Sequence, residues 1–128
     1  MRRRSKIASR LICAVVVLAA AGAAHAQGDA ARGEQRFEEC ASCHSMERGH
    51  NGVGPSLHGM FDRKAGEIAD YRYSPALKRS GLVWTARTLD TFIADPQNVV
   101  PANRMPYAGM PNPRDRADLI AYLQKASK

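Results

Sequence analysis

Cys40-Ala41-Ser42-Cys43-His44 places two thiols three positions apart, with an imidazole directly after the second. Thiols at that spacing can reach the two vinyl groups on adjacent rings of a porphyrin and form thioethers. The next side chain then falls under the iron. Cys-x-x-Cys-His is the attachment signature of c-type haem, and His supplies a nitrogen ligand suited to haem iron. Other uses of the pair fit less well. A redox-active thiol pair of the thioredoxin type calls for a βαβ setting, which the sequence lacks. The third cysteine, Cys13, lies in an N-terminal leader, so a four-cysteine zinc site is excluded. Cys40 and Cys43 with two of His44, His50 and His58 show no zinc-like second ligand pair. A disulfide between Cys40 and Cys43 would close too small a loop to stabilise much.

Haem iron has a sixth position. Met46, Met60, Met105 and Met110, besides His50 and His58, are the candidates after the leader. Met46 is too close to His44 to reach the opposite face. Met60 follows Gly59 in a loop and stays possible. Met105 lies four after Pro101 and directly before Pro106. Prolines on both flanks restrict the backbone, so this loop can hold a thioether at a fixed distance. A lone methionine is more often packing than ligand, and the loop chemistry favours Met105.

The elements that must position these groups read as short helices. Asp29 is an N-cap for a helix to about Glu39, with Phe37 as its main apolar anchor. Gly33 stands four before Phe37 on the same face, where it either allows a close helix approach or is merely tolerated. Glycines and Pro55 between Ser45 and Arg72 mark loops and turns. Ser74 and Pro75 start a short helix that Gly81 stops. Thr85 caps another, with Leu89, Phe92 and Ile93 on one face, ended by Asp95-Pro96. Val99 to Pro111, with three prolines, reads as an extended loop. Asn112 and Pro113 start the last helix, whose stripe is Leu119, Ile120, Tyr122 and Leu123. The fold class is all-α, with long loops of the kind that carry function.

The chain has 128 residues, enough for one domain. Arg2, Arg3, Arg4, Lys6 and Arg10 precede an uncharged run from Leu11 to Ala24, and Ala24-His25-Ala26 follows. That is the layout of a secretory signal peptide over 1–26 with cleavage after Ala26, leaving a domain at 27–128. The apolar run is 14 residues long, short of the roughly 20 a spanning helix needs. Ile12 is too bulky to precede a lipidated Cys13. The leader holds five of the 19 basic residues and none of the 12 acidic ones, so residues 27–128 carry +2. Net charge therefore gives no case for nucleic acid. Leu, Ile, Val and Phe total only 16 of these 102 residues. A core so poor in large aliphatics needs other filling, and a large apolar cofactor would supply it.

With those motifs in order along 27–128, the chain resembles the class I c-type cytochromes, the family of mitochondrial cytochrome c and its soluble bacterial relatives. Gly28-Asp29 through Gly33 with Phe37 resembles the family's N-terminal helix, and Cys40 to His44 its haem site. Gly54-Pro55-Ser56-Leu57-His58-Gly59 resembles its Gly-Pro loop, and Trp84 its propionate tryptophan. Arg104 to Gly109 resembles the methionine-ligand loop, and Arg116 to Leu123 the C-terminal helix. The resemblance implies a cytochrome c fold with crossing N- and C-terminal helices, Gly33 and Phe37 packing on Leu119 and Tyr122. It implies one covalent haem c on Cys40 and Cys43, with iron ligands His44 and Met105. Pro55 would accept a hydrogen bond from the His44 ring. Tyr73 and Trp84 would donate to a haem propionate, Arg63 would offset its charge, and Asn103 would bond a propionate.

The sequence also departs from the mitochondrial pattern. Phe92 stands in place of a tyrosine that contacts the methionine sulfur, Leu77 in place of an asparagine, and Asn103 in place of a threonine. Glu39, Gln97 and Asn98 occupy rim positions that are lysines in the mitochondrial proteins, and Arg104 keeps a positive charge there. The expected function is that of a periplasmic single-electron carrier, not an enzyme: His and Met fill both axial sites and suit electron transfer. A dedicated haem subunit of one dehydrogenase or oxidase complex is the alternative. A haem sensor or enzyme would require an open sixth site. Redox proteins are the expected partners of an exported monomer, with no nucleic acid and no stable membrane insertion after cleavage.

Overall fold

A computed structural model describes residues 27–128. The leader, its Ala24-His25-Ala26 site and Cys13 lie outside the described residues. Each helix starts where a short polar side chain can accept from the orphan backbone donors of its first turn. Asp29 accepts from the Arg32 backbone N–H and opens α1, Ala30–Ala41. Ser74 caps α2, Pro75–Arg79, with Gly81 following at φ 70°. Thr85 and Thr88 form a reciprocal capping box at the start of α3, Ala86–Ala94. Asn112 caps α5, Pro113–Ala126, with Pro113 in its first turn.

One helix departs from the sequence reading. Asp95-Pro96 ends α3 and at once starts α4, Pro96–Val99, with the Asp95 side chain accepting from the Asn98 backbone N–H. The same dipeptide serves both purposes: a proline cannot continue a helix but is well suited to its first turn. The segment after Val99 is also less extended than its prolines suggest. It turns at Val100–Asn103, with Ala102 at φ 65°. Among the described residues there is no strand, only an isolated bridge between Lys64 and Val83.

α1 crosses α5. The crossing is close because Gly33 has no side chain: a Cβ there would stand 2.0 Å from the Asp118 carbonyl oxygen. Of the two uses open to Gly33, the structure therefore shows the close approach. One turn on, the rings of Phe37 and Tyr122 lie 5.4 Å apart. Leu119, Ile120 and Leu123 of α5 meet Leu89 and Ile93 of α3, with Met110 packed among them. This apolar wall forms one side of a cleft, and the loops between α1 and α2 form much of the rest.

A buried carboxylate locks the crossing. The Asp118 side chain is 3% exposed and accepts from Arg32 Nε at 2.7 Å and Nη2 at 3.0 Å. It also accepts from the Asp29 backbone N–H at 2.6 Å. The Arg32 hydrogen bonds, followed by the Asp29 amide, hold the Asp118 carboxyl below its ordinary range. Such a group adds stability in full above its unfolded pKa, about 3.9, and loses that contribution as pH falls through the folded value. Asp118→Asn is expected to cost about 1–2 kcal/mol at neutral pH. It should also flatten the acid limb of the stability curve below about pH 4. Denaturant melts of both proteins from pH 7 to pH 2 check this, and parallel curves would remove Asp118 from the account.

Candidate functional site

The site begins at the end of α1. Helical geometry runs past the last α-helical residue, because the backbone N–H groups of Cys43 and His44 both donate to the Cys40 carbonyl oxygen, at 3.0 and 2.9 Å. That turn puts Cys40 and Cys43 on one side, and His44 follows directly into the same cavity lining. Burial, with Glu39 and then Cys43 adding to it, pushes the Cys40 thiol up to about 11. A thiol so protonated at neutral pH is a poor redox nucleophile, which agrees with a site that converts it to a thioether.

His44 is oriented from the opposite loop. Its Nδ1 lies 2.7 Å from the Pro55 carbonyl oxygen. A carbonyl only accepts, so Nδ1 carries the proton and Nε2 is left with a free lone pair, the state a metal ligand needs. Gly54 makes room for the ring: a Cβ there would stand 2.5 Å from Cε1 and under 3 Å from both ring nitrogens.

These groups open onto a cavity of about 430 Å³, within the range of roughly 300–1,000 Å³ for cofactor sites. Cys40, Cys43, His44, Pro55, Arg63, Tyr73, Trp84, Asn103 and Met105 all line it. Phe37, Leu89, Ile93, Leu119 and Leu123 give it an apolar wall. Met60 also lines it, whereas Met46 and Met110 do not. Met110 is 5% exposed, and its backbone N–H donates to the Ile93 carbonyl at 2.8 Å.

Polar groups gather at part of the lining. Arg63 donates through Nη1 to the His58 carbonyl at 2.8 Å, and Tyr73 lies within its electrostatic reach. Burial raises the Tyr73 phenol, against a smaller lowering by Arg63. Trp84 stacks edge-on against Phe92 with centroids 5.0 Å apart. Asn103, also in the lining, is tied into the backbone. Its Nδ2 donates to the Pro96 and Val100 carbonyls at 2.8 and 3.0 Å, and its Oδ1 accepts from the Met105 backbone N–H at 2.8 Å. Through these bonds Asn103 shapes the Met105 loop. A threonine-to-asparagine difference in the sequence gave no sign of these bonds, because the partners are main-chain carbonyls of Pro96 in the unforeseen α4 and of Val100 just after it.

Two further contacts escaped the sequence reading. Gln97 Nε2 donates to the Met105 carbonyl at 3.3 Å and to Asn103 Oδ1 at 3.2 Å. Tyr107 Oη donates to Glu39 Oε2 at 2.8 Å, joining residues 68 apart in sequence. Desolvation and Glu39 push the Tyr107 phenol up, so it stays a donor at neutral pH.

An apolar slot with two thiols, a histidine primed at Nε2 and a methionine in the same lining fits a porphyrin. The family model described as Cytochrome c matches residues 30–127.

The chain belongs to the cytochrome c family.

As in that family, this cytochrome carries one covalently bound haem c and transfers electrons without being an enzyme. It is 50% identical over 88 residues to cytochrome c2 iso-2 of Magnetospirillum fulvum, covering 69% of this chain and 92% of that protein. It is 42% identical over 117 residues to cytochrome c2 of Blastochloris viridis, covering 91% and 92%. Among solved structures, cytochrome cH from Methylobacterium extorquens is similar, with a TM-score of 0.73 and 47% identity, covering 77% of this chain and 99% of that one. The class I resemblance and the all-α cytochrome c fold are thereby shown. No helix among the described residues is long and apolar enough to cross a membrane.

Proposed function

We propose that this cytochrome is a monomeric periplasmic carrier of single electrons, with His44 and Met105 as axial ligands and Cys40 and Cys43 as the thioether anchors. The observation that carries the reading is the pairing within one cavity of His44, its Nε2 freed by the bond to Pro55, with Met105. The haem supplies the one-electron chemistry through its ferric and ferrous states. The chain's part is to keep both axial positions occupied and water away. Met favours the ferrous state and raises the potential, while the Pro55 carbonyl makes His44 a stronger donor. Arg63, Tyr73 and Trp84 offset and bond the buried carboxylates, which would otherwise be costly. Export follows from cleavage after Ala26. Mass analysis of periplasmic material should find a chain starting at Gln27 plus one haem. A membrane-bound chain retaining Leu11–Ala24 would mean an anchored cytochrome.

The rim bears on the partners. With Glu39, Gln97 and Asn98 on it and +2 over residues 27–128, long-range steering is weak. Reduction by a donor from the same periplasm is expected to slow by less than about tenfold between 10 and 200 mM salt. Stopped-flow absorbance measures it. A steep fall would reveal a basic patch assembled by the fold, and co-purification with one large subunit would favour the dedicated-subunit reading instead.

A further inference from the structure

The C-terminal end of the Met105 loop is held to α5, where Arg116 donates to the Met110 and Pro111 carbonyls, but the part around Met105 itself is tied to its own side of the cleft. Asn103 binds the Pro96 and Val100 carbonyls, Gln97 holds the Met105 carbonyl, and the Met110 N–H donates to Ile93. All of these partners belong to α3, α4 or the loop itself. None of them sets the distance from the loop to the segment that carries Cys40, Cys43 and His44. Among the described residues, one hydrogen bond spans that gap: Tyr107 Oη to Glu39 Oε2, at 2.8 Å. Glu39 directly precedes Cys40, Tyr107 lies two residues beyond Met105, and both line the cavity. The Tyr107 ring also packs against the core cluster, so its hydroxyl is already aimed and little side-chain entropy is lost in making the bond.

We infer that Tyr107 and Glu39 form a latch across the mouth of the haem cleft, with Tyr107 a positioning residue that holds the Met105 loop closed on the iron. The inference rests on Met105 being the sixth ligand. When the latch opens, the loop keeps its bonds to α3, α4 and, at its far end, α5, but its Met105–Tyr107 tip is free to swing from α1. Met105 can then leave the iron and an outside ligand can enter. The latch therefore governs how often the sixth site is exposed, and adds no more to global stability than one hydrogen bond does.

The test uses the full haem-loaded protein and imidazole as the entering ligand. Parent, Tyr107→Phe, Glu39→Ala, Glu39→Gln and the Tyr107→Phe/Glu39→Ala double variant are compared by stopped flow in the ferric state. Phe keeps the ring and its packing, and Gln keeps an acceptor oxygen. Tyr107→Phe and Glu39→Ala should each speed imidazole entry by about fivefold, the worth of one hydrogen bond at a partly exposed site. The double variant should be no faster than either single one, because both remove the same bond. Glu39→Gln should stay within twofold of the parent, and melting temperatures of the other variants should fall by no more than the few degrees that one hydrogen bond is worth. Unchanged rates in both single variants would overturn the latch. So would additive effects, or faster entry accompanied by a loss of stability well beyond one hydrogen bond. The parent's ferric spectrum tests the underlying ligand reading separately: absence of a sulfur–iron band there would refute Met105 ligation, whatever the variants do.

Discussion

Cys40→Ser combined with Cys43→Ser is expected to leave no stable folded protein. The reason is the size of the slot. An unfilled cavity of about 430 Å³, at roughly 24 cal/mol per Å³, costs on the order of 10 kcal/mol. A domain's whole stability is about 5–15 kcal/mol. Phe37, Leu119 and Leu123, which pin α1 to α5, are themselves part of the lining, so the damage reaches the main helix crossing. Haem bound only to the folded state supplies what is missing, and the thioethers keep it from dissociating. Circular dichroism and pigment retained after acid–acetone extraction read the outcome. Both signals should be lost. A helical apo-protein with a cooperative melt would show that the protein core stands without its cofactor.

Met105→Ala is the second large effect. It should abolish the weak sulfur–iron band of the ferric protein, lower the potential and open the sixth site to added ligands. Met105 and Met60 both line the cavity, so lining alone does not choose between them. The Met105 loop is built to present a side chain: Asn103 Oδ1 takes its backbone N–H at 2.8 Å and Gln97 donates to its carbonyl. Met60 is 4% exposed and belongs to the apolar cluster with Phe37 and Leu119. Met60→Ala and Met110→Ala should each keep the band while losing about 2–5 kcal/mol of stability, as core truncations do. Loss of the band in either, with Met105→Ala unaffected, would reassign the ligand.

The sequence was most legible where a single residue's chemistry decides the outcome. Caps at Asp29, Ser74, Thr85 and Asn112 announced four helices because a side-chain oxygen and a following helix-former suffice to start one. Gly33 and Phe37 disclosed the helix crossing by spacing and by the family pattern together. Asp95-Pro96 was read only as a stop, since a one-turn helix leaves no periodic stripe by which to detect it. The backbone bonds of Asn103 went unforeseen for the same reason, as they go to the carbonyls of Pro96 in that helix and of Val100 just after it. The Asp118–Arg32 lock and the Tyr107–Glu39 bond join residues 86 and 68 apart. No local pattern encodes such pairs, and they emerge only once α1 has been packed against α5 and the Met105 loop. The nine cavity residues could be named from sequence because the Cys-x-x-Cys-His spacing supplies the haem anchors, the proline-flanked loop favours Met105, and the family resemblance implies Pro55, Arg63, Tyr73, Trp84 and Asn103.

The central claim is a haem whose two axial positions are both filled by the chain, as befits electron transfer without ligand chemistry. Exposing the reduced, unmodified protein to carbon monoxide at neutral pH tests it most directly. An unchanged six-coordinate ferrous spectrum over minutes is expected. Rapid formation of a carbon monoxide adduct would mean an open sixth site and would contradict the electron-carrier assignment.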